Sequence, residues 1–162
     1  MLTVAALLLL GGGCRYGYGF AGGGLPTNIR TAAVLPFDNN TPVAELQREI
    51  ADALRSGLQR RLGLRSAPEA RANAIVRGTI VSYDADVPIA YNADPTQSTS
   101  ARRKLVITVD VEIADQESGT ILFARRGLRA EGEYAEGAES LGRQQAIERI
   151  VSQVIEGAQS QW

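Results

Sequence analysis

Cys14 is the residue whose position in the chain most directly indicates a covalent modification. It is the only cysteine, and it follows an apolar run over residues 4–10 and three glycines at 11–13. An apolar segment that ends in small residues is typical of a secretory signal, and a cysteine directly after them suits a lipoprotein signal peptidase. As a helix the run spans about 10 Å, which is too short for a transmembrane anchor. The sequence predicts a signal peptide over 1–13 and a lipid attached to Cys14.

The same stretch leaves an alternative open. Gly11 stands three residues before the cysteine, where a leucine-like residue is usual, and no Lys or Arg precedes Cys14. Positive charge is normal at the start of a secretory signal. The alternative is a signal peptide that is cleaved elsewhere, which would leave Cys14 as a free thiol.

Catalytic, metal and nucleotide chemistry have few candidates in this chain. It contains no histidine, the commonest general base and metal ligand, and its carboxylates form no evident cluster. We therefore expect no enzyme activity and no cofactor. Gly17, Gly19 and Gly22 match the dinucleotide-binding pattern, but no strand precedes them and no helix follows. The net charge of −1 argues against a nucleic-acid partner.

A basic cluster is the second set of residues with chemical potential. Two of its members end the long irregular stretch 88–103, a third follows directly at 104, and three lie on the strand that we expect to pair beside it. If that hairpin forms, the six charges can gather toward one end of the sheet. Guanidinium groups bind phosphate oxygens through two parallel hydrogen bonds, whereas the alternative is a solvated edge strand that resists aggregation. The six are Arg102, Arg103, Lys104, Arg125, Arg126 and Arg129.

The elements that must position these residues follow from hydrophobic periodicity. A short apolar strand over 31–37 precedes Thr41 and Pro42, which suit the start of a helix that ends at Gly63. Strands are predicted over 74–87, 104–114 and 120–132, with a turn at 115–119, because apolar residues alternate along the middle strand. A last helix follows Ser140. The apolar stripes of the two helices are Leu46, Ile50, Ala53, Leu54, Gly57, Leu58 and Leu62, and Ala146, Ile147, Ile150, Val151, Val154, Ile155 and Ala158.

This order, β-α-β-β-β-α, predicts an α+β fold. We expect a two-layer sandwich in which a four-stranded, mostly antiparallel sheet carries both helices on one face. Three segments follow: the signal peptide over 1–13, a Gly-rich lipidated tether over 14–28, and a single domain over 29–162.

Several short patches, in order, resemble one family. They are YGYGF at 16–20, AVLPF at 33–37, NNTP at 39–42, GTIVSY at 78–83, RKLVITV at 103–109 and GEY at 132–134. From Cys14 to the end the chain resembles the LptE-like lipopolysaccharide-assembly lipoproteins. The resemblance implies a non-enzymatic lipoprotein on the periplasmic side of the outer membrane, anchored there by its acyl groups. It would plug an LptD-like β-barrel translocon, assist its assembly and help pass lipopolysaccharide (LPS) to the outer leaflet.

The resemblance also makes the six basic residues LPS-binding candidates, since basic residues contact LPS in that family. Two other functions stay open. The run VLPFDNN at 34–40 also suggests an envelope lipoprotein of the curli-secretion or synthase-activator type that acts as a protein-binding module. An envelope hydrolase with a carboxylate pair is the third possibility, and the absence of histidine disfavours it.

Overall fold

The computed structural model describes residues 25–88 and 102–160, which form one sheet and a layer of two helices. The predicted signal peptide, Cys14 and most of the tether lie outside the described residues. No helix in the described ranges is long and apolar enough to cross a membrane. The elements in chain order are β1 Thr31–Val34, β2 Asp38–Asn39, α1 Glu45–Leu62, β3 Arg65–Ser66, β4 Ala74–Pro88, β5 Arg102–Asp115, β6 Ile121–Ala135 and α2 Glu139–Ser160.

The α+β sandwich is confirmed, although the sheet has six strands rather than four. Its order is β3-β1-β4-β5-β6, and β2 also pairs with β4. The strands β4, β5 and β6 are antiparallel, whereas β1 runs parallel to both β3 and β4. The two strands that sequence analysis missed, β2 and β3, have two residues each, and no periodicity can be detected over that length.

The predicted first strand is divided at Pro36. β1 ends at Val34, and pairing with β4 resumes at Asp38, opposite Thr79. Proline lacks the N–H that a strand ladder requires, so the segment between them leaves the sheet and then returns. Phe37 lies within this interruption and is almost fully buried.

The first helix begins later than the sequence suggested. Thr41 does not cap it: its N–H and hydroxyl both donate to Asn39 Oδ1, at 2.9 and 2.7 Å, and Asn39 Nδ2 donates to the Val43 carbonyl at 2.9 Å. Asparagine stabilises turns in this way, so the chain makes a turn before α1 starts at Glu45. The predicted end is confirmed, since Gly63 adopts a left-handed conformation with φ 68°.

The main core lies between the helices and one face of the sheet. Every predicted apolar residue of α2 is buried there, as are most of those of α1. The alternation along β5 is also confirmed, because Leu105, Ile107, Val109, Val111 and Ile113 are all buried in the main core. Helix α2 packs mainly on β6 and also contacts β5.

Candidate functional site

The register between β5 and β6 separates the six basic residues into two groups. Arg103 lies opposite Tyr134, whereas Arg125 lies opposite Val111. Eight residues of β5 separate these positions, which is about 27 Å along a strand. The expectation that all six gather toward one end of the sheet is therefore wrong. In a hairpin the distance from the turn fixes a residue's position, and Arg102, Arg103 and Lys104 are much further from the turn than Arg125 and Arg126.

The side chains of Arg103 and Lys104 are engaged by acidic neighbours. Arg103 contacts Asp86 at 2.6 Å and Glu136 at 3.6 Å, and Lys104 contacts Glu131 at 3.0 Å. The hydrogen bond from Arg103 holds the pKa of Asp86 below its usual range. These cations therefore already have anionic partners within the domain.

The β6 group, Arg125, Arg126 and Arg129, is different. All three side chains are exposed, and none forms an ion pair with another residue of the described ranges. Their strand was correctly predicted to pair beside β5. Cations without internal partners can bind the oxygens of an external phosphate or carboxylate.

A bulge at Gly127 determines how this group is presented. The β5–β6 register shifts between Val109 and Val111, and Gly127 has φ 62°, a conformation that glycine adopts without a steric penalty. The Gly127 N–H donates to Asp110 Oδ1 at 2.7 Å. In a regular strand, consecutive side chains point to opposite faces, yet here residues 124–127 are all exposed. The bulge therefore leaves both Arg125 and Arg126 accessible.

A shallow depression of about 360 Å³ adjoins Arg125 and Arg126 on the sheet. Its wall includes Arg77, whose guanidinium donates to Glu112 Oε1 at 2.6 and 2.9 Å, and Asp110, which accepts from Gly127. These two groups are already partnered. Asp38 also lines the depression and forms no ion pair in the described residues, so the free charged groups around it are two guanidinium groups and one carboxylate.

A larger groove, of about 860 Å³, runs between α1 and α2. Arg143 of α2 crosses it to donate two hydrogen bonds to Glu49 of α1, at 2.8 and 3.2 Å. The Tyr83 hydroxyl, from β4, donates to Glu139 at the start of α2. Partial burial and this bond raise the pKa of Tyr83 to about 12. Arg143, one of the four arginines that line the groove, therefore holds the two helices together.

This network could not be predicted from the sequence because its members come from three separate elements. The i,i+4 spacing of Glu139 and Arg143 was the only local signal, and the structure places those two groups 4.0 Å apart. Asp86 was missed for the same reason. Within residues 25–88 and 102–160, no cluster of three or more His, Cys, Asp or Glu side chains could hold a metal ion.

Comparison with known families gives one match. The model of the LptE family, described as lipopolysaccharide-assembly, matches residues 29–157. That interval runs from just before β1 into the last turn of α2. No curated protein matches the sequence at a significant level.

Solved structures share the fold at low sequence identity. Protein XCC0632 from Xanthomonas campestris is 8% identical, with a TM-score of 0.55, over 81% of this chain and 84% of that one. The hypothetical protein CT253 from Chlamydia trachomatis is 12% identical, with a TM-score of 0.52, over 78% and 93%. The PelC dodecamer from Paraburkholderia phytofirmans is 14% identical, with a TM-score of 0.51, over 82% and 93%. At these identities the likeness concerns the fold alone.

Proposed function

The chain belongs to the LptE family of lipopolysaccharide-assembly proteins, and we propose that it is a lipid-anchored component of an outer-membrane LPS translocon. In this role it occupies the lumen of an LptD-like β-barrel, helps the barrel assemble and assists the insertion of LPS into the outer leaflet. The family match over residues 29–157 carries the proposal. The role is a binding and structural one, without enzyme activity.

The surface of the sheet supports a place inside a barrel. The face opposite the helices carries ion pairs between neighbouring strands, such as Arg77 with Glu112 and Lys104 with Glu131. The lumen of a large outer-membrane barrel is polar, so a domain within it needs a hydrophilic exterior of modest net charge. The net charge of −1 meets that need.

The β6 group is our refined candidate for LPS contact. LPS carries phosphate groups, and charge-assisted hydrogen bonds from guanidinium to phosphate are among the stronger polar contacts. Arg125 and Arg126 can form them without first breaking an internal ion pair. Arg103 and Lys104 would have to leave Asp86 and Glu131, so we assign them a secondary part.

The proposed anchor is Cys14, on the periplasmic side of the outer membrane. Two or more acyl chains are needed for stable membrane residence, at about 0.8 kcal/mol for each buried CH₂ group. The tether over residues 14–28 would then connect the lipid to the domain that begins at residue 29.

Purification of the tagged full chain from solubilised outer membranes tests the translocon role. Co-purification of a large β-barrel protein is the expected result. Recovery of a peptidoglycan synthase without a barrel would instead favour the synthase-activator type of lipoprotein, and our proposal would be wrong.

Charge reversal tests the LPS contact. The variant R125E/R126E is compared with R48E/R60E, whose two arginines are exposed on α1 and form no ion pair in the described ranges. Each charge-assisted hydrogen bond lost costs about 1.5–3 kcal/mol, so the first variant should bind detergent-dispersed LPS at least about tenfold more weakly. The control should bind like the wild type. Equal binding by both variants, with circular dichroism showing that both fold, would contradict the assignment.

A further inference from the structure

The outer edge of β6 carries an unusual set of contacts. β6 is the last strand in the sheet order, and in the described ranges no strand pairs with its outer side. In an antiparallel pair, alternate residues point both backbone groups toward the partner or both away from it. Side chains of α2 form hydrogen bonds with the backbone groups of Arg129, Glu131 and Glu133. These contacts show that the backbone groups of these three residues point away from β5.

Three side chains of α2 form a ladder over this edge. Gln153 Nε2 donates to the Arg129 carbonyl at 3.3 Å, and Arg149 Nη1 donates to the Glu131 carbonyl at 2.8 Å. Gln145 Oε1 accepts from the Glu133 N–H at 3.4 Å. We call Gln145, Arg149 and Gln153 the edge ladder.

The spacing of the edge ladder matches the strand. Its members are four residues apart on α2, which advances about 6 Å along a helix. The backbone groups that they reach are two residues apart on β6, which is about 6.8 Å in an antiparallel strand. Because α2 runs antiparallel to β6, one helix face can follow the edge over three successive positions. The ladder is thus a continuous cover of the edge over residues 129–133.

An uncovered edge of this length would attract another strand. β6 is 15 residues long, and exposed strand edges pair readily with other chains unless they are blocked. Charged side chains, prolines and covering elements are the usual ways to block them. Here the block comes from polar side chains of α2, which can leave the edge without unfolding the helix that carries them. Since α2 itself packs on β6, a paired second copy would place its own α2 beside this one, and the side chains of the edge ladder must leave for the helices to approach as well.

The sequence of the edge favours a second copy of the same chain as the incoming strand. If two β6 strands pair antiparallel about Ala130, Arg129 of each copy lies opposite Glu131 of the other. Glu131 contacts Lys104 through Oε2 alone, at 3.0 Å, so its other oxygen can accept from Arg129 of the second copy without breaking that ion pair. Opposite charges directly across an antiparallel pair stabilise it, and the two-fold arrangement forms both pairs at once. The edge is thus complementary to itself.

We propose that the edge ladder is a removable seal on a self-pairing strand edge, and that a second copy of this chain pairs with β6 when the seal opens. The seal keeps the domain monomeric. This inference concerns self-association and does not depend on the proposed LPS contact.

The test uses the full chain, purified in detergent, and measures its protein mass by light scattering across a concentration series. The ladder variant is Q145A/R149A/Q153A. Its matched control is Q59A/R60A/Q144A, which changes the same residue types at exposed helix positions that form no hydrogen bond or ion pair with β6 in the described residues. Wild type and control should remain monomeric, whereas the ladder variant should form a dimer whose share rises with concentration.

A second change locates the contact. Glu131→Pro, added to the ladder variant, removes an outward N–H and leaves the β5–β6 pairing intact, since proline is tolerated on the outer side of an edge strand. It should restore the monomer. Hydrogen exchange gives an independent readout, because the N–H groups of Arg129 and Glu131 should become protected only in the dimer.

Each outcome is decisive. A folded ladder variant that stays monomeric at every concentration reached by the wild type overturns the proposal. So does a dimer that Glu131→Pro leaves intact, or one in which the two N–H groups exchange as fast as in the monomer. If the triple variant loses helical circular dichroism, the single variant Arg149→Ala is measured instead. It should form a dimer at a higher concentration than that expected for the triple variant, and a single variant that stays monomeric overturns the proposal.

Discussion

Two glycines in contact set the distance between α2 and β6, and they provide a sharp test of the packing. A Cβ atom placed on Gly132 would lie 1.7 Å from the Gly142 carbonyl oxygen and 2.6 Å from its carbonyl carbon. Both are helix backbone atoms, so no change of rotamer can make room. A Cβ on Gly142 would instead meet side-chain atoms of Tyr134 and Leu105, at 2.9 to 3.3 Å.

We predict that Gly132→Ala is markedly destabilising. The start of α2 would have to retreat by at least 1.3 Å to reach the 3.0 Å below which real Cβ contacts essentially never occur. Overpacking of a core costs about 1–3 kcal/mol, and sometimes more, and a rigid backbone contact places this site at the upper end. Alanine regains about 0.5–1 kcal/mol of the strand entropy that glycine loses. The net loss should be about 2 kcal/mol in the free energy of unfolding.

Gly142→Ala is the matched comparison, because it adds the same methyl group on the other side of the same contact. Alanine is about 1 kcal/mol more favourable than glycine within a helix. The crowding falls on the rings and methyl groups of Tyr134 and Leu105, which can shift by a few tenths of an ångström. We expect the gain and the cost to cancel to within about 0.5 kcal/mol.

Urea unfolding followed by circular dichroism measures both changes. With an m value of about 2 kcal/mol/M, the midpoint of Gly132→Ala should fall by about 1 M, whereas that of Gly142→Ala should stay near the wild type. Equal midpoints for the two variants would show that the helix and strand are not held at the distance described here. A larger loss for Gly142→Ala would reverse the reasoning.

Three further predictions concern the core, a tyrosine and the anchor. Leu54→Asp or Ile150→Asp places a charge at a position that is at most 1% exposed, so either should cost several kcal/mol and abolish cooperative melting; an unchanged melting curve would show that the helix faces are wrongly assigned. Burial and, second, the bond to Glu139 raise the pKa of Tyr83 from 10.0 to about 12, so the stability linked to this shift is fully present below pH 10 and is lost as the pH rises through 12. In an ultraviolet titration, the wild type should show one late tyrosine ionisation that Tyr83→Phe lacks. If Tyr83→Phe instead lacks an ionisation near pH 10, the contact with Glu139 is wrong. Cys14→Ser should release the protein from membranes into the periplasm or leave its signal uncleaved, and mass spectrometry that finds an unmodified Cys14 in the membrane form would refute lipid attachment.

Much of the fold follows from local sequence pattern. The stripe on α2 and the alternation on β5 each repeat over several turns or residue pairs, so their faces could be assigned before the structure. The start of α1 could not, because Thr41 is followed by Pro42 in the usual manner of a helix N-terminus. Asn39 accepts from the Thr41 N–H and hydroxyl and donates to the Val43 carbonyl, so these residues form a turn before the helix starts, and Asn39 lies in β2, which is too short to recognise.

The candidate site was less predictable for a related reason. The sequence correctly placed Arg125, Arg126 and Arg129 on the strand beside β5, but their position along that strand depends on hairpin register and on the bulge at Gly127. Which cations have internal partners depends on acids such as Asp86, which lies on β4. Contacts between strands leave no periodic signal in either strand, so they could be found only in the folded chain.

Within the described ranges, both sides of the domain keep exposed arginines without an ion pair, and the spacing of these arginines distinguishes the two sides. On the helix layer, Arg143 is bonded to Glu49, and Arg61 is bonded to Ser152 at 2.9 Å and to Glu156 at 3.3 Å. These bonds join α1 to α2, whereas Arg48 and Arg60 line the same groove and form no ion pair in the described residues. Arg48 and Arg60 lie about 18 Å apart along the helix, but Arg125 and Arg126 are consecutive on β6. Because one anionic group can contact two guanidinium groups only where they lie close together, we expect an anionic ligand to contact the strand side of this domain.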